Sequence, residues 1–312
     1  MSEQEKAIKF YEETEKYLKE RARSSGVKIA ELEWYYEPSD ESKHNLSTHI
    51  YEYQHSHPAK ITTWQQSAMM SFAFHAQNQT GNHIGNIVKF RSRVHLEKIY
   101  EILEEFKPEK IKGKKPDKLV DEFKKATNVK GERMFKWEEN SKGNPSAIFN
   151  WCTSVIESAK FICEYQSRTA LIDKMKECYV ASKKSNGEIN LDKLRKNFGV
   201  FGFGTALTCD LFKEFDGCFS MIMKPDLHIK DVLDAYDDFS KENSPYQKNN
   251  NKAYNRFIEI VNYIKEDKKI NRSDLTAYKL DKMIWLSCTG SFYMHSHKSK
   301  EDYINIIQDL HI

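Results

Sequence analysis

The chain has 312 residues, enough to bury a large core as one big domain or two ordinary ones. Because 49 Lys and Arg face 46 Asp and Glu, any contact with nucleic acid requires a local basic patch. No apolar run approaches the roughly 18 residues that cross a bilayer, the chain opens on a charged segment, and the six cysteines show no close pairing. We expect a soluble, reduced, cytoplasmic monomer with no membrane partner.

The first half of the chain shows mainly the apolar spacing of helices. Residues 2–23 leave a narrow apolar stripe typical of a docking helix. Residues 27–60 are aromatic and polar by turns, and they could form short strands or an irregular loop. An apolar helix follows, with Thr62 or Thr63 as its N-cap, and another is predicted at about 86–106.

The composition changes at residues 107–137, which carry ten lysines. Such a segment is either a solvated insertion or a basic arm that contacts a nucleic-acid strand. The sequence favours neither.

The second half is helical again, and we predict an all-α fold. Helices are expected at 146–166, at 168–183 and after Asn190, and a polar linker is expected at 240–252. The last helices lie in "AYNRFIEIVNYIKE", "LTAYKLDKMIWLSCTG" and "KEDYINIIQDL".

A glycine-rich turn separates two of the predicted helices, "LDKLRKNFG" and "TALTCDLFKEF". Gly202 and Gly204 flank one aromatic residue, so the chain can turn there with positive φ and expose backbone N–H groups. Such a turn at the start of a helix, here at Thr205, is a site for an anion such as phosphate.

A short connection leads to "KPDLHIKDVLDAYDDF", which we expect to be a helix with Asp226 as its N-cap. A helix N-terminus holds a carboxylate rigidly and favours its charged form. Capping and catalysis are therefore compatible roles for this residue.

The order of these elements resembles the helix-hairpin-helix DNA glycosylase superfamily. In that family a G-x-G hairpin grips a DNA phosphate, and an aspartate about twenty positions further on faces the target sugar. Asp226 lies twenty residues after Ala206. The stretch "SFAFHAQNQTGNHIGNIVKF" at 71–90 is similar to the family segment whose amide side chains fill the gap left by an extruded base. The similarity covers roughly residues 61–104 and 146–290.

The resemblance implies a two-lobed helical fold and the activity of a DNA glycosylase. The glycosylase-like domain would cover 61–312, with a basic insertion at about 107–145, and 1–60 would form an N-terminal helix and an irregular extension. Asp226 would be the catalytic acid, because a carboxylate stabilises the positive charge that grows on the sugar as the base leaves. The residues implied in DNA binding are Gly202, Gly204, Thr205, Gln77, Asn78 and Gln79.

Departures from the family pattern restrict the chemistry. Bifunctional members carry a lysine where this chain has Ala206, which implies a monofunctional enzyme that uses water unless Lys224 is the nucleophile. Only Cys288 lies near the end of the chain, which argues against an iron–sulfur cluster. The pairs His55/His57 and His295/His297 fit surface residues better than a zinc site. We expect no metal and no cofactor.

The expected partner is double-stranded DNA with a damaged or modified base. The Lys-, Asn- and Ile-rich composition is typical of an AT-rich genome, so defence against modified phage DNA stands beside DNA repair as a role. The alternatives are a helix-hairpin-helix protein that binds DNA without catalysis and a helical adaptor whose glycine turn is only a loop.

Overall fold

The computed structural model describes residues 1–24, 26, 61–76, 96–127, 147–267, 274–288 and 300–311. Over these residues the fold is all-α, as predicted, and the β pairing described there is one isolated bridge between Lys183 and Ile189. The α-helices are α1 (Glu3–Ser24), α2 (Trp64–His75), α3 (Leu96–Ile102), α4 (Pro108–Ile111), α5 (Pro116–Thr127), α6 (Ala147–Ile162), α7 (Arg168–Ala181), α8 (Leu191–Phe198), α9 (Thr205–Phe215), α10 (Leu227–Tyr236), α11 (Asn250–Lys265), α12 (Ala277–Cys288) and α13 (Lys300–Gln308). The possible strands at 27–60 lie outside the described residues.

The chain divides into two compact units. The terminal unit contains, of the described residues, 1–24, 183–191, 216–267, 274–288 and 300–311. The central unit contains 61–76, 96–127, 147–182 and 192–215. None of the described helices combines the length and the apolar character needed to cross a membrane.

The core of the terminal unit forms around α1, which packs on α11 and α12. Phe10 and Leu18 of α1 are buried, and the ring of Phe10 meets that of Tyr236 edge to face, with centroids 5.2 Å apart. The Thr14 hydroxyl lies 2.7 Å from the hydroxyl of Tyr303 on α13. The first helix therefore docks onto the C-terminal helices, in agreement with its apolar stripe.

The core of the central unit forms around α6, which packs against α2, α4 and α5. The indole Nε1 of Trp151 on α6 donates a hydrogen bond to the carbonyl of Ala73 on α2, at 2.8 Å. Thr63 is the N-cap of α2, and its hydroxyl accepts a hydrogen bond from the backbone N–H of Gln66. Of the two predicted N-caps, Thr62 and Thr63, the second is therefore the one that caps α2.

The predicted helix at 86–106 ends earlier than expected. Its described part, α3, ends at Ile102, and Glu104, Glu105 and Phe106 follow with positive φ angles of 52°, 60° and 54°. The Gln66 side chain donates a hydrogen bond to the Glu105 carbonyl at 2.9 Å, and Phe106 is buried. Positive φ angles are unfavourable for residues other than glycine, so the contact from Gln66 and the burial of Phe106 stabilise the turn at 104–106.

The first part of the lysine-rich segment is integral to the central unit. Ile111 of α4 and Leu119 and Phe123 of α5 have no exposed surface, and the Phe123 ring lies 5.3 Å from that of Trp151. Because these side chains belong to the core, residues 107–127 are not a solvated insertion. Residues 128–137 lie outside the described part of the chain.

Candidate functional site

The glycine turn, residues 199–204, connects α8 to α9 in the central unit. Gly202 has a φ of +90°, as predicted, and Gly199, which the sequence analysis did not single out, has a φ of +68°. Gly204 is not among the positive-φ glycines, so the expectation of a second left-handed residue there was wrong. Gly204 instead accepts the first helical hydrogen bond of α9, from the N–H of Thr208 at 2.9 Å.

Aromatic packing holds the glycine turn in place. The buried Phe203 lies between the two glycines that were predicted to matter, and its ring centroid is 5.8 Å from that of Phe72 and 5.6 Å from that of Phe198. Phe201 points the other way and is 47% exposed. The turn therefore presents one aromatic ring to solvent while the next one fastens it to the core.

Helix α8, which leads into the turn, carries both basic and acidic exposed side chains. Arg195 and Lys196, in the last turn of α8, are exposed and form no ion pair with any residue that the structure describes. Thr205, the predicted DNA-binding residue at the start of α9, donates its hydroxyl to Asp192 at 3.3 Å. The positive charges of Arg195 and Lys196, together with the N-terminus of α9, favour the binding of an anion.

Asp226 is the N-cap of α10 in the terminal unit, as predicted. Its Oδ1 atom accepts the backbone N–H groups of His228 and Ile229, at 3.0 and 3.1 Å. Its Oδ2 atom has no hydrogen bond to any described residue. One oxygen thus fixes the side chain on the backbone of α10.

His228, two residues after Asp226, was not among the predicted site residues. Its Nδ1 atom is buried and has no hydrogen-bond partner among the described residues. Burial lowers the pKa of this imidazole, Lys300 and Lys224 act in the same direction, and Asp226 and Asp231 act against them. A histidine two residues after a predicted capping aspartate is the sequence signal that could have identified it.

Hydrogen bonds and an ion pair hold the C-terminal half of α10 in place. Asp231, 5% exposed, pairs with Lys300 and accepts a hydrogen bond from Gln247 at 2.9 Å. Burial alone would raise the pKa of Asp231, but the hydrogen bond and charge of Lys300, together with the hydrogen bond from Gln247 and the charge of Lys241, outweigh it, and the pKa is lowered. Gln247 also donates to Asp234 at 2.6 Å. The stretch predicted as a linker at 240–252 is therefore fastened to α10, and α11 already begins at Asn250.

The structure locates the two positions that bear on the nucleophile, Ala206 and Lys224. Ala206 lies in the first turn of α9. The backbone N–H of Lys224 donates to the buried carboxylate of Asp281 at 2.9 Å, which fixes the main chain just before Asp226.

Other predicted groups lie partly outside the described residues. Gln77, Asn78 and Gln79 follow the last described residue after α2, and the four paired histidines also fall outside. Within the described ranges no group of three His, Cys, Asp or Glu residues is placed to hold a metal ion. All six cysteines are free, and burial raises the pKa of the Cys288 thiol to about 12.

Comparison with known proteins adds no relative. The chain matches no model of a protein family, no curated protein and no solved structure.

Proposed function

We propose that this protein is a monofunctional DNA glycosylase, which extrudes a damaged or modified base from duplex DNA and hydrolyses its N-glycosidic bond. The observation that carries the proposal is the half-engaged carboxylate of Asp226, fixed through Oδ1 while Oδ2 is free of hydrogen bonds to the described residues. The proposal places the protein in the cytoplasm as a monomer, in DNA repair or in defence against modified phage DNA.

The chemistry needs a charged, rigid carboxylate. When the bond between C1′ and the base nitrogen breaks, the base leaves with the bonding electrons and takes a proton from solvent water, and the sugar becomes positively charged. Oδ2 of Asp226 stabilises that charge and accepts a proton from the water whose oxygen bonds to C1′. The carboxyl group then returns this proton to solvent, so one water molecule is added across the bond. The product is an intact strand with an abasic site.

The glycine turn supplies the proposed grip on the DNA backbone. Positive φ at Gly199 and Gly202 opens the chain ahead of α9, whose first N–H groups have no carbonyl partner within the helix. Arg195 and Lys196 add positive charge beside them. A DNA phosphate fits this combination of N–H donors and cations, and the amide residues Gln77, Asn78 and Gln79 are proposed to fill the space left by the base.

The decisive test compares two capping aspartates of the terminal unit. Asp226→Asn should reduce base release from a panel of modified duplexes by orders of magnitude, while DNA affinity stays within a few-fold, because Asn still caps the helix but carries no charge. Asp216, the N-cap of the short 3-10 helix Gly217–Phe219, provides the control Asp216→Asn, which should release base at the parental rate. Parental activity in Asp226→Asn would exclude Asp226 as the catalytic acid.

A second test concerns the nucleophile. Because Ala206 stands where bifunctional relatives carry lysine, water attacks the sugar, and borohydride should trap no covalent complex of protein and DNA. Efficient trapping that disappears in Lys224→Ala would instead make Lys224 the nucleophile.

A non-catalytic helix-hairpin-helix DNA-binding protein is the second candidate. Asp226 accepts hydrogen bonds from two backbone N–H groups of α10. Because this capping role explains an aspartate at that position without any catalysis, it favours the second candidate. Salt-dependent DNA binding without base release from any duplex of the panel would support this candidate over the enzyme.

A further inference from the structure

The lysine-rich segment that runs from α4 through the connection 112–115 into the first turn of α5 carries charge that the proposed active site does not use. Lys110 lies on α4, Lys112 and Lys115 lie in the connection, and Lys118 lies on α5. Four lysines between 108 and 118 are exposed and form no ion pair with any residue that the structure describes. Only Glu109 and Asp117 are acidic in that stretch. We call the following residues the lysine surface: Lys110, Lys112, Lys115 and Lys118.

Lysines on other helices of the same unit behave differently. Lys98 pairs with Glu101 at 2.7 Å, and Lys160 pairs with Glu157 at 2.7 Å. Lys174 and Lys176 of α7 pair with Glu177 and Asp173, at 3.2 and 3.7 Å. The lysine surface thus keeps positive charge that these helices neutralise within themselves.

The direction of the lysine surface is fixed by the core. Ile111, Leu119 and Phe123 have no exposed surface, so α4 and α5 cannot rotate without losing the burial of these side chains. The same burial argues against a membrane partner, because an amphipathic helix binds a bilayer through a free apolar face.

The lysine surface and the glycine turn both adjoin α6. Helix α4, which carries Lys110, packs against α6. Phe161, in the last turn of α6, has its ring centroid 5.4 Å from that of Phe198, the residue before the glycine turn.

We infer that the lysine surface binds backbone phosphates of duplex DNA beyond those held at the glycine turn, and so lengthens the footprint of the protein on its substrate. This rests on the proposed function, because it takes the glycine turn as the first phosphate site. Point charges on flexible, exposed side chains fit a sequence-independent contact with phosphates.

The test uses the full chain with all four lysines of the lysine surface changed to Gln, alongside a control variant with Lys98, Lys160, Lys174 and Lys176 changed to Gln. Both variants lose the same charge in the central unit. The slope of log affinity against log salt, measured on a long duplex, should become shallower by up to about 3.6 in the first variant, since each phosphate contact contributes about 0.9. The control should keep the parental slope.

Duplex length sharpens the result. On a duplex of about 10 base pairs, one helical turn, the lysine-surface variant should bind as the parent does, and on the long duplex it should bind at least about tenfold more weakly at low salt. Base release at saturating DNA should be unchanged. Equal salt slopes for the two variants, or lysine-dependent binding to anionic lipid vesicles in place of DNA, would overturn the inference.

The outcomes separate the two proposals. If the parent releases base and the lysine-surface variant keeps the parental salt slope, the inference alone fails. If the parent shows a lysine-dependent slope but releases no base, the inference stands and the enzyme fails. If the parent binds no DNA, both fail.

Discussion

The glycine turn and the N-terminus of α10 are both held rigidly, but by different forces. Phenylalanine rings hold the turn, with Phe72 in contact with both Phe198 and Phe203. Hydrogen bonds and charges hold α10, through Asp226 at its start and Asp231 one turn further on. The turn should therefore depend on packing and be insensitive to salt and pH, whereas α10 should respond to both.

The largest effect is expected at the centre of the aromatic cluster. Phe72→Ala should lower the free energy of unfolding by about 3–5 kcal/mol, because it leaves a cavity among the rings that position the turn. Phe201→Ala, at the exposed tip, should change it by about 0.5 kcal/mol or less. Denaturant titrations of both variants check this, and similar losses would mean that the cluster does not support the turn.

The charged counterpart is Arg256 on α11. Its Nη2 and Nε atoms donate to Asp237 at 2.7 and 3.0 Å, just after α10, and Nη2 also contacts Glu3 of α1 at 2.6 Å. Arg256→Ala should cost about 2–3 kcal/mol, because a largely buried carboxylate loses its paired donors.

Salt distinguishes this loss from the aromatic one. The cost of Arg256→Ala should shrink in concentrated salt, and that of Phe72→Ala should not. Arg256→Lys keeps the charge without the two-pronged contact and should fall between parent and Ala variant. A salt-independent cost for Arg256→Ala would contradict the electrostatic description of this region.

The glycines of the turn allow a finer comparison. Gly202→Ala should destabilise the protein by about 1–2 kcal/mol, because an L side chain resists a φ of +90°. Gly204→Ala should be close to neutral for the backbone, since Gly204 does not have positive φ. Thermal unfolding measures both, and DNA binding should weaken in Gly202→Ala. The reverse order of stability would mean that the turn has another geometry.

The smallest effect is the pH response of α10. The pKa of His228 is lower in the folded protein than the unfolded value of about 6.5, so the unfolded chain binds the proton first. This contribution to stability is present above that unfolded value and is lost as the pH falls toward the folded pKa, by at most about 1.4 kcal/mol per pH unit.

His228→Gln isolates the effect, because every other titrating group remains. Below about pH 6.5, the stability of the parent should fall more steeply than that of the variant. Denaturant titrations between about pH 5 and 8 compare the two, and parallel curves would show that His228 does not contribute.

Much of the local structure could be predicted because it depends on neighbours along the chain. The capping by Thr63 and by Asp226 uses N–H groups two or three residues away, and positive φ at Gly202 follows from the lack of a side chain. The helices themselves could be predicted because the spacing of apolar residues within each segment matches the helical repeat. The prediction failed at Gly204 because that residue directly precedes α9 and accepts its first helical hydrogen bond, whereas Gly202 lies within the turn.

The sequence by itself determined that the chain is helical, that a glycine turn precedes α9 and that an aspartate caps α10, since these features require only short-range hydrogen bonds and steric limits. The tertiary structure alone decided that residues 107–127 join the core, that Gln247 fastens the polar stretch to α10 and that His228 is buried. Each of these depends on partners far away in sequence, whose packing free energy outweighs the local preference for solvent.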